Sequence, residues 1–198
     1  MDKQPKFSAR DIVVIGGSQG ALDVLRSMLG SLPRDFPAAI LIVIHSGTSS
    51  PGHLATILGR YSTLPVEYAC EDDQIEHGRA YLAPADRHLE IIPPGLLHLD
   101  DGPKVRNARP AVDRLFMTAA EVYGPRVVCL ILSGGDSDGV DGANAVSAAD
   151  GICLVQEPQE AVIPSMPISV ILKDHPDAVV RKDDMTSALL RAVNGTSA

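Results

Sequence analysis

The sequence predicts an α/β fold: a three-layer, doubly wound, mainly parallel sheet with helices on both faces and an antiparallel hairpin at one edge. Two observations predict this class. Uninterrupted apolar runs occupy residues 38–44 and 127–132, as in strands that are buried on both faces. Apolar residues at helical spacing follow such runs, and strands that alternate with helices build parallel sheets. At 198 residues we expect a single domain over 1–198, with its core at about residues 11–195.

The local patterns define the elements in order. The first apolar run ends in Gly16-Gly17, and apolar residues at helical spacing follow it to Leu29. Short apolar pieces between residues 65 and 99 are separated by turn signals such as Pro93-Pro94-Gly95, which predicts the hairpin. The predicted strands are 11–15, 38–44, 65–70, 79–83, 88–92, 96–99, 126–132 and 151–156. The predicted helices are 22–29, 51–58, 111–122, 139–149, 166–172 and 186–193.

Composition excludes several classes of protein. A formal net charge of −8 and a pI of about 5.1 exclude a nucleic-acid binder with a basic stripe. The apolar runs are too short to cross a bilayer, and the polar N-terminus lacks the apolar core of a secretory signal. Cys70, Cys129 and Cys153 have no metal-ligand spacing and are predicted to be buried thiols in a reducing compartment. We therefore expect a cytoplasmic protein without membrane insertion.

Three predicted strand ends carry residues whose side chains can take part in catalysis. The first delivers Ser18, within the pattern Gly-Gly-Ser-Gln-Gly, and the second delivers His45. The glycine-rich segment after residue 132 delivers Asp136 and Asp138. In an open parallel sheet these ends meet at one edge. Acyl transfer needs this set, because a serine needs an imidazole base and the imidazole needs a carboxylate. The residues thus predict a serine hydrolase, with either aspartate as the carboxylate.

Simpler interpretations stay open at this point. Ser18 is also a typical helix N-cap, and the glycines around it resemble a phosphate cradle without the dinucleotide spacing. His45 has an alternative as an ordinary loop residue, and Asp138 as the N-cap of the next helix. His88 is a further candidate to line the site. The histidines lack a compact ligand spacing, so neither a metal nor a cofactor is expected.

Six segments in order give the chain a family resemblance: VVIGGSQGA (13–21), VIHSG (43–47), GRAYLAPADRH (78–88), RPAVDRLF (109–116), LILSGGDSDGVDG (130–142) and VQEPQEAVIPSMP (155–167). The chain resembles the catalytic domain of the chemoreceptor methylesterase family, CheB. The resemblance implies hydrolysis of glutamate γ-methyl esters on the cytoplasmic helices of chemoreceptors, or of a similar methylated protein, with glutamine deamidation as an added activity. It also implies Ser18 as nucleophile, His45 as base and Asp138, rather than Asp136, as carboxylate.

The same comparison suggests residues around the reacting carbonyl. Substrate or oxyanion contacts are expected from Gly17, Gln19, Gly135 and Met166. The sequence departs from the family at Gln19, where Thr is usual, and at Gly134-Gly135-Asp136, where Gly-Met-Gly is usual.

A third departure is Ile168, where the family usually carries Arg. These departures motivate one alternative, an esterase or amidase of the same fold with another substrate. A non-catalytic interaction module that kept the fold is a further alternative. The receiver domain common in the family is not expected in this chain, so gating by phosphorylation of its own residues is not expected.

Overall fold

The computed structural model describes residues 10–45, 52–173 and 176–195. Its main feature is a seven-stranded sheet in the order β3-β4-β2-β1-β7-β8-β9. Every described pairing in this sheet is parallel. The strands are β1 (Ile12–Gly17), β2 (Ala39–Ile44), β3 (Val66–Tyr68), β4 (Ala80–Leu82), β7 (Val127–Ile131), β8 (Ile152–Gln156) and β9 (Ala178–Val180). The central strands are buried on both faces, so their sequences read as continuous apolar runs.

Helices cover both faces of the sheet, as the sequence predicts. They are α1 (Ala21–Ser31), α2 (Leu54–Gly59), α3 (Val112–Tyr123), α4 (Val140–Ala148), α5 (Ser165–Lys173) and α6 (Met185–Asn194). Buried side chains of α3, α4 and α5 form one apolar cluster with the sheet, and those of α1, α2 and α6 form another. Within the described residues, no helix is both long and apolar enough to cross a membrane.

The predicted antiparallel hairpin is present as β5 (His88–Ile92) and β6 (Leu96–Asp100). It forms a separate two-stranded sheet rather than an extension of the main sheet. The paired residues Leu89 and Leu99 share an apolar face with Ile91 and Leu97, and this face is buried in the cluster that contains α3. The hairpin is therefore held by a helix surface, because its alternating apolar face is buried there.

Two local expectations differ from the structure. The strand expected at 65–70 is limited to β3, and the short β9 lies in a segment where the sequence predicts no strand. Cys129 and Cys153 are buried as expected, but the expectation that Cys70 is buried is wrong. Cys70 lies beyond the end of β3, in a turn where its N–H donates to the Asp73 carboxylate, so packing does not cover its thiol.

The strand order defines a crevice at the carboxyl ends of the strands. From β1 the chain leads through α1 to β2 on one side, whereas β7 pairs with β1 on the other side. Ligands of open α/β sheets bind outside the strand ends at such a reversal of order. The segments that follow β1, β2 and β7 therefore define the place where a site is expected.

Candidate active site

Backbone hydrogen bonds tie the three strand ends together. The N–H of His45 donates to the carbonyl of Gly17 at 3.0 Å, and the N–H of Ser18 donates to the carbonyl of Ser133 at 2.8 Å. The segments that carry Ser18, His45 and Asp138 are thus joined directly to one another. Ser18 and His45 line the same cavity of about 600 Å³.

Asp138 holds one side of the His45 ring. Its Oδ2 lies 2.8 Å from Nε2 of His45, and its side chain is completely buried. The same carboxylate accepts the N–H groups of Val112 at 2.7 Å and Asp113 at 2.9 Å. These donors belong to the first turn of α3, where free N–H groups and the helix dipole favour a negative charge. Asp138 is therefore fixed by α3 while it orients His45.

Asp138 does not cap α4. The N-cap of that helix is Gly139, in the left-handed conformation, and this residue provides no side-chain cap. Likewise, Gly20 is the N-cap of α1, with no side-chain cap, and the Ser18 hydroxyl makes no hydrogen bond to any described residue. The interpretation of Ser18 and Asp138 as helix caps is therefore wrong, because neither side chain caps the helix that follows it.

Asp136 contacts the opposite side of the imidazole. Its Oδ2 lies 3.3 Å from Nδ1 of His45, an ion-pair contact at the long end of hydrogen-bond range. Its Oδ1 accepts the N–H of Asp138 at 2.9 Å, which pins the turn. Burial, the largest contribution, lowers the pKa of His45, but Asp136 and then Asp138 outweigh it and raise that pKa from 6.5 to about 9. The pKa of Asp136 is lowered, chiefly by its contact with His45.

Asp113 is a buried carboxylate that sequence reasoning did not single out. Its Oδ1 accepts the N–H groups of Gly139 and Gly142, and its Oδ2 accepts from Arg106 at 3.2 Å. Burial is the main cause that raises its pKa to about 6, and the nearby charge of Asp138 adds to it. Asp113 therefore joins the start of α4 to the start of α3. The available signal was its place in the segment 109–116.

A basic loop also lines the cavity, and sequence reasoning missed it as well. The lining residues of this loop are Lys104, Arg106, Asn107, Ala108, Arg109 and Pro110. Arg106 pairs with Asp113 and Asp141, and Arg109 pairs with Asp86 at 2.9 Å. Lys104 has no hydrogen bond or ion pair with the described residues. The signal was a cluster of cationic residues in an acidic chain.

The residues expected around the carbonyl are placed differently from one another. Gly135 lines the cavity, and the backbone N–H groups of Gly135 and Gln19 donate to no described residue. Gly17 is the last residue of β1 and is buried. Met166 is completely buried beneath Gly134, and its N–H donates to the Gly134 carbonyl at 3.0 Å. A direct substrate contact by the Met166 side chain is therefore not supported.

None of the other described histidines is among the residues that line the cavity. His88 is completely buried, with Nε2 3.1 Å from the carbonyl of Pro103 and Nδ1 accepting the N–H of Ala111 at 3.1 Å. It is not among the cavity-lining residues, so it anchors the ends of the basic loop instead. His53 and His77 are exposed, as expected of surface residues, and His175 lies outside the described residues.

Comparison with known proteins gives a consistent family. The family model described as CheB methylesterase matches residues 13–189. The protein-glutamate methylesterase/protein-glutamine glutaminase 2 of Methanosarcina mazei is 35% identical over 95% of this chain. The chain spans 53% of that relative and 55% of its Methanosarcina acetivorans counterpart, about half of their lengths. A relative from Leptospira interrogans is 33% identical over 91% of this chain and 94% of its own length.

A solved structure gives the same result for the fold. The catalytic domain of the CheB methylesterase of Thermotoga maritima superposes with a TM-score of 0.89 at 33% sequence identity. The match covers 93% of this chain and 99% of that domain. The α/β architecture expected from the sequence is therefore confirmed.

Proposed function

This chain belongs to the CheB methylesterase family, and we propose that it hydrolyses γ-methyl esters of glutamate side chains in a methylated protein of the cytoplasm. In this proposal the nucleophile is Ser18, the general base is His45 and the carboxylate that orients the base is Asp138. Hydrolysis regenerates the free glutamate and releases methanol. The methylated signalling helices of a chemoreceptor are the proposed substrate.

One observation carries the proposal. The buried carboxylate of Asp138 lies 2.8 Å from Nε2 of His45, and this ring lines a cavity together with a serine whose hydroxyl is unbonded among the described residues. A serine hydroxyl becomes a useful nucleophile only when a neighbouring base removes its proton. Because Nε2 is engaged by Asp138, the nitrogen that remains for Ser18 is Nδ1. The arrangement therefore has the parts of an acyl-transfer site.

The first half of the reaction forms an acyl-enzyme. Ser18 Oγ attacks the ester carbonyl carbon while Nδ1 of His45 takes the hydroxyl proton, and the carbonyl oxygen becomes an oxyanion. The free N–H groups of Gln19 and Gly135 are suited to bind this oxyanion. When the tetrahedral species collapses, the carbon–oxygen bond to the methoxy group breaks and His45 gives its proton to the departing oxygen, which leaves as methanol.

The second half regenerates the enzyme. Water gives a proton to Nδ1 of His45 and attacks the acyl carbon, and the bond to Ser18 Oγ breaks as that oxygen regains the proton. Asp138 stabilises the imidazolium that forms in each half. In the structure Nδ1 contacts Asp136, so His45 must shift toward Ser18 before the first step, as catalytic contacts often tighten only with substrate present.

The cavity wall suits an acidic protein segment. Lys104 provides a positive charge without a partner among the described residues, beside the larger guanidinium groups of Arg106 and Arg109. Carboxylates that flank a methylated glutamate would pair with these cations. Glutamine deamidation is a second proposed activity, because it needs the same attack on a side-chain carbonyl with ammonia as leaving group. The names of the Methanosarcina relatives include a glutaminase.

The test uses a methylated receptor signalling segment and a serine-reactive fluorophosphonate probe. We expect methanol release from the segment and covalent labelling at Ser18, and we expect Ser18→Ala to lose both. Ser187→Ala is the matched control, because Ser187 is an exposed serine on α6. Labelling without turnover of the segment would assign a hydrolase with another substrate. Failure of both would leave a non-catalytic interaction module and refute the proposal.

A further inference from the structure

The contact between Asp136 and His45 is not required by the triad chemistry. A triad needs one carboxylate on the imidazole, and Asp138 already fills that role through Nε2. Asp136 adds a second carboxylate at Nδ1, 3.3 Å away. This is the nitrogen that must accept the proton of Ser18. In the free protein, the Asp136 carboxylate therefore contacts the nitrogen that Ser18 must approach.

The two contacts together fix the protonation state that the ring favours. A carboxylate oxygen accepts hydrogen bonds but cannot donate one. Both imidazole nitrogens face such acceptors, so both favour a bound hydrogen, and the ring is then a cation. A neutral ring with its proton on Nε2 would instead turn the lone pair of Nδ1 toward the negative Oδ2 of Asp136. The geometry thus stabilises the imidazolium and disfavours the base.

Starting from the function proposed above, we propose that Asp136 is a positioning residue that holds the protonated His45 ring by Nδ1, away from Ser18. The resting site is inactive until the ring loses that proton. When the proton leaves, the attraction to Asp136 is lost and Nδ1 is free to take the proton of Ser18. The elevated pKa of His45, about 9 with Asp136 as the strongest raising influence, agrees with this geometry. The proposed hydrolase then works best in alkaline solution.

Among the charged groups around His45, Asp136 is the one whose contact with the ring can change. Asp138 and Asp113 are both buried, and Asp138 is bonded to the first N–H groups of α3. Among the cations, Arg106 helps lower the pKa of Asp136, but it is already bonded to Asp113.

Lys104 and Arg109 are the other cations that line the cavity. The Asp136 side chain is 39% exposed, so water can solvate its carboxylate when the ring is neutral.

Asp136 is one of the positions at which the sequence departs from the usual family motif. The family motif usually carries glycine at this position, which has no side chain to reach the ring. Asp136→Gly therefore removes the second carboxylate together with its hydrogen bond from the N–H of Asp138. Asp136→Ser is a milder change, because a serine hydroxyl can still accept the N–H of Asp138 but is neutral and shorter. The two variants separate loss of the charge from loss of the turn.

The experiment compares these variants with the unaltered protein in two measurements. The first is the dependence of kcat/KM on pH for methyl-ester hydrolysis, and the second is an NMR titration of the His45 ring. We expect the rising limb of the rate profile and the His45 titration to move to lower pH by about one unit or more in both variants. At pH 7 their rate should exceed that of the unaltered protein by roughly tenfold, and near pH 10 the rates should converge.

Asp141→Asn is the matched control. It removes a nearby carboxylate that pairs with Arg106 without touching His45, so its rate profile should stay within a few tenths of a pH unit of the original. Unchanged His45 titration in the Asp136 variants, or an equal shift in the control, would overturn the inference. If no protein hydrolyses the ester while the titration still moves, the proposed reaction fails and Asp136 keeps its role on His45.

Discussion

Replacing Asp138 with alanine removes an acceptor that the fold uses three times. Its carboxylate receives Nε2–H of His45 and the N–H groups of Val112 and Asp113. These backbone groups are buried, and alanine offers them no acceptor. Each buried donor that loses its partner costs about 1–3 kcal/mol. Relief of the repulsion between Asp138 and Asp113 offsets part of this, so we expect the free energy of unfolding to fall by about 3 kcal/mol.

The assay is denaturant unfolding of the Asp138→Ala protein near neutral pH. Asp101→Ala is the control, because Asp101 is 75% exposed and pairs with Arg87 at the surface; it should change the unfolding free energy by no more than about 0.5 kcal/mol. If Asp138→Ala were as stable as this control, the carboxylate would not hold α3 and the reasoning would fail.

Asp138→Asn then separates stability from chemistry. The amide keeps one oxygen that can accept a backbone N–H, so we expect a smaller loss of stability than with alanine. Its NH₂ group, however, cannot accept a hydrogen from His45 and would favour the wrong tautomer of the ring. We expect turnover to fall by roughly 10³–10⁴-fold in a protein that still folds. Turnover close to the original would show that Asp138 does not orient the base.

The remaining predictions concern the nucleophile, the base and the packing beneath them. Ser18→Ala and His45→Ala should each reduce methyl-ester turnover by about 10³-fold or more with little change in far-ultraviolet circular dichroism; full activity in Ser18→Ala would mean another nucleophile. Gly134→Ala should lower the unfolding free energy by about 1–3 kcal/mol, because its Cβ would overlap Sδ of Met166 and lie 3.1 Å from Cβ of Ser18, and a smaller residue at 166 should restore part of the loss. The pKa of His45 is about 9 in the folded protein against 6.5 without partners, so the folded state binds more protons between these values. This stabilisation is fully present below pH 6.5 and is lost as the pH rises through 9. It amounts to about 3 kcal/mol, and urea unfolding of His45→Gln should lack it.

The fold was predictable because its strongest signals are local. The runs that become β1, β2 and β7 are continuous and apolar, since helices cover both faces of each strand. Turn residues between the hairpin strands were equally visible. The packing of the hairpin against α3 and the presence of β9 could not be predicted, because they depend on contacts with distant elements. A strand of only three residues, as in Ala178–Val180, carries too little pattern to be recognised.

The site was predictable only in part, for a related reason. Ser18, His45 and Asp138 follow strong strands, so the topology rule for parallel sheets brings them to one edge. The basic loop at 104–110 follows no strand of the main sheet. It reaches the cavity because the buried His88 ring bonds to both of its ends. A chain of hydrogen bonds across distant segments leaves no periodic signal, and composition alone shows only clustered cations.

The two carboxylates that contact His45 differ in how the fold holds them, and this difference decides what each can change. Asp138 is completely buried and is bonded to two N–H groups of α3, so any change there alters both the base and the packing. Asp136 is partly exposed, and apart from His45 its hydrogen-bond partner among the described residues is the N–H of Asp138 in its own turn. Substitution at Asp136 should therefore lower the basicity of His45 with a smaller loss of stability than substitution at Asp138, about 1.4 kcal/mol below pH 6.5 for each unit by which the pKa of His45 falls. Two residues apart in the segment after β7, Asp138 is therefore fixed by the packing of α3, whereas Asp136 can vary and change the environment of the proposed base.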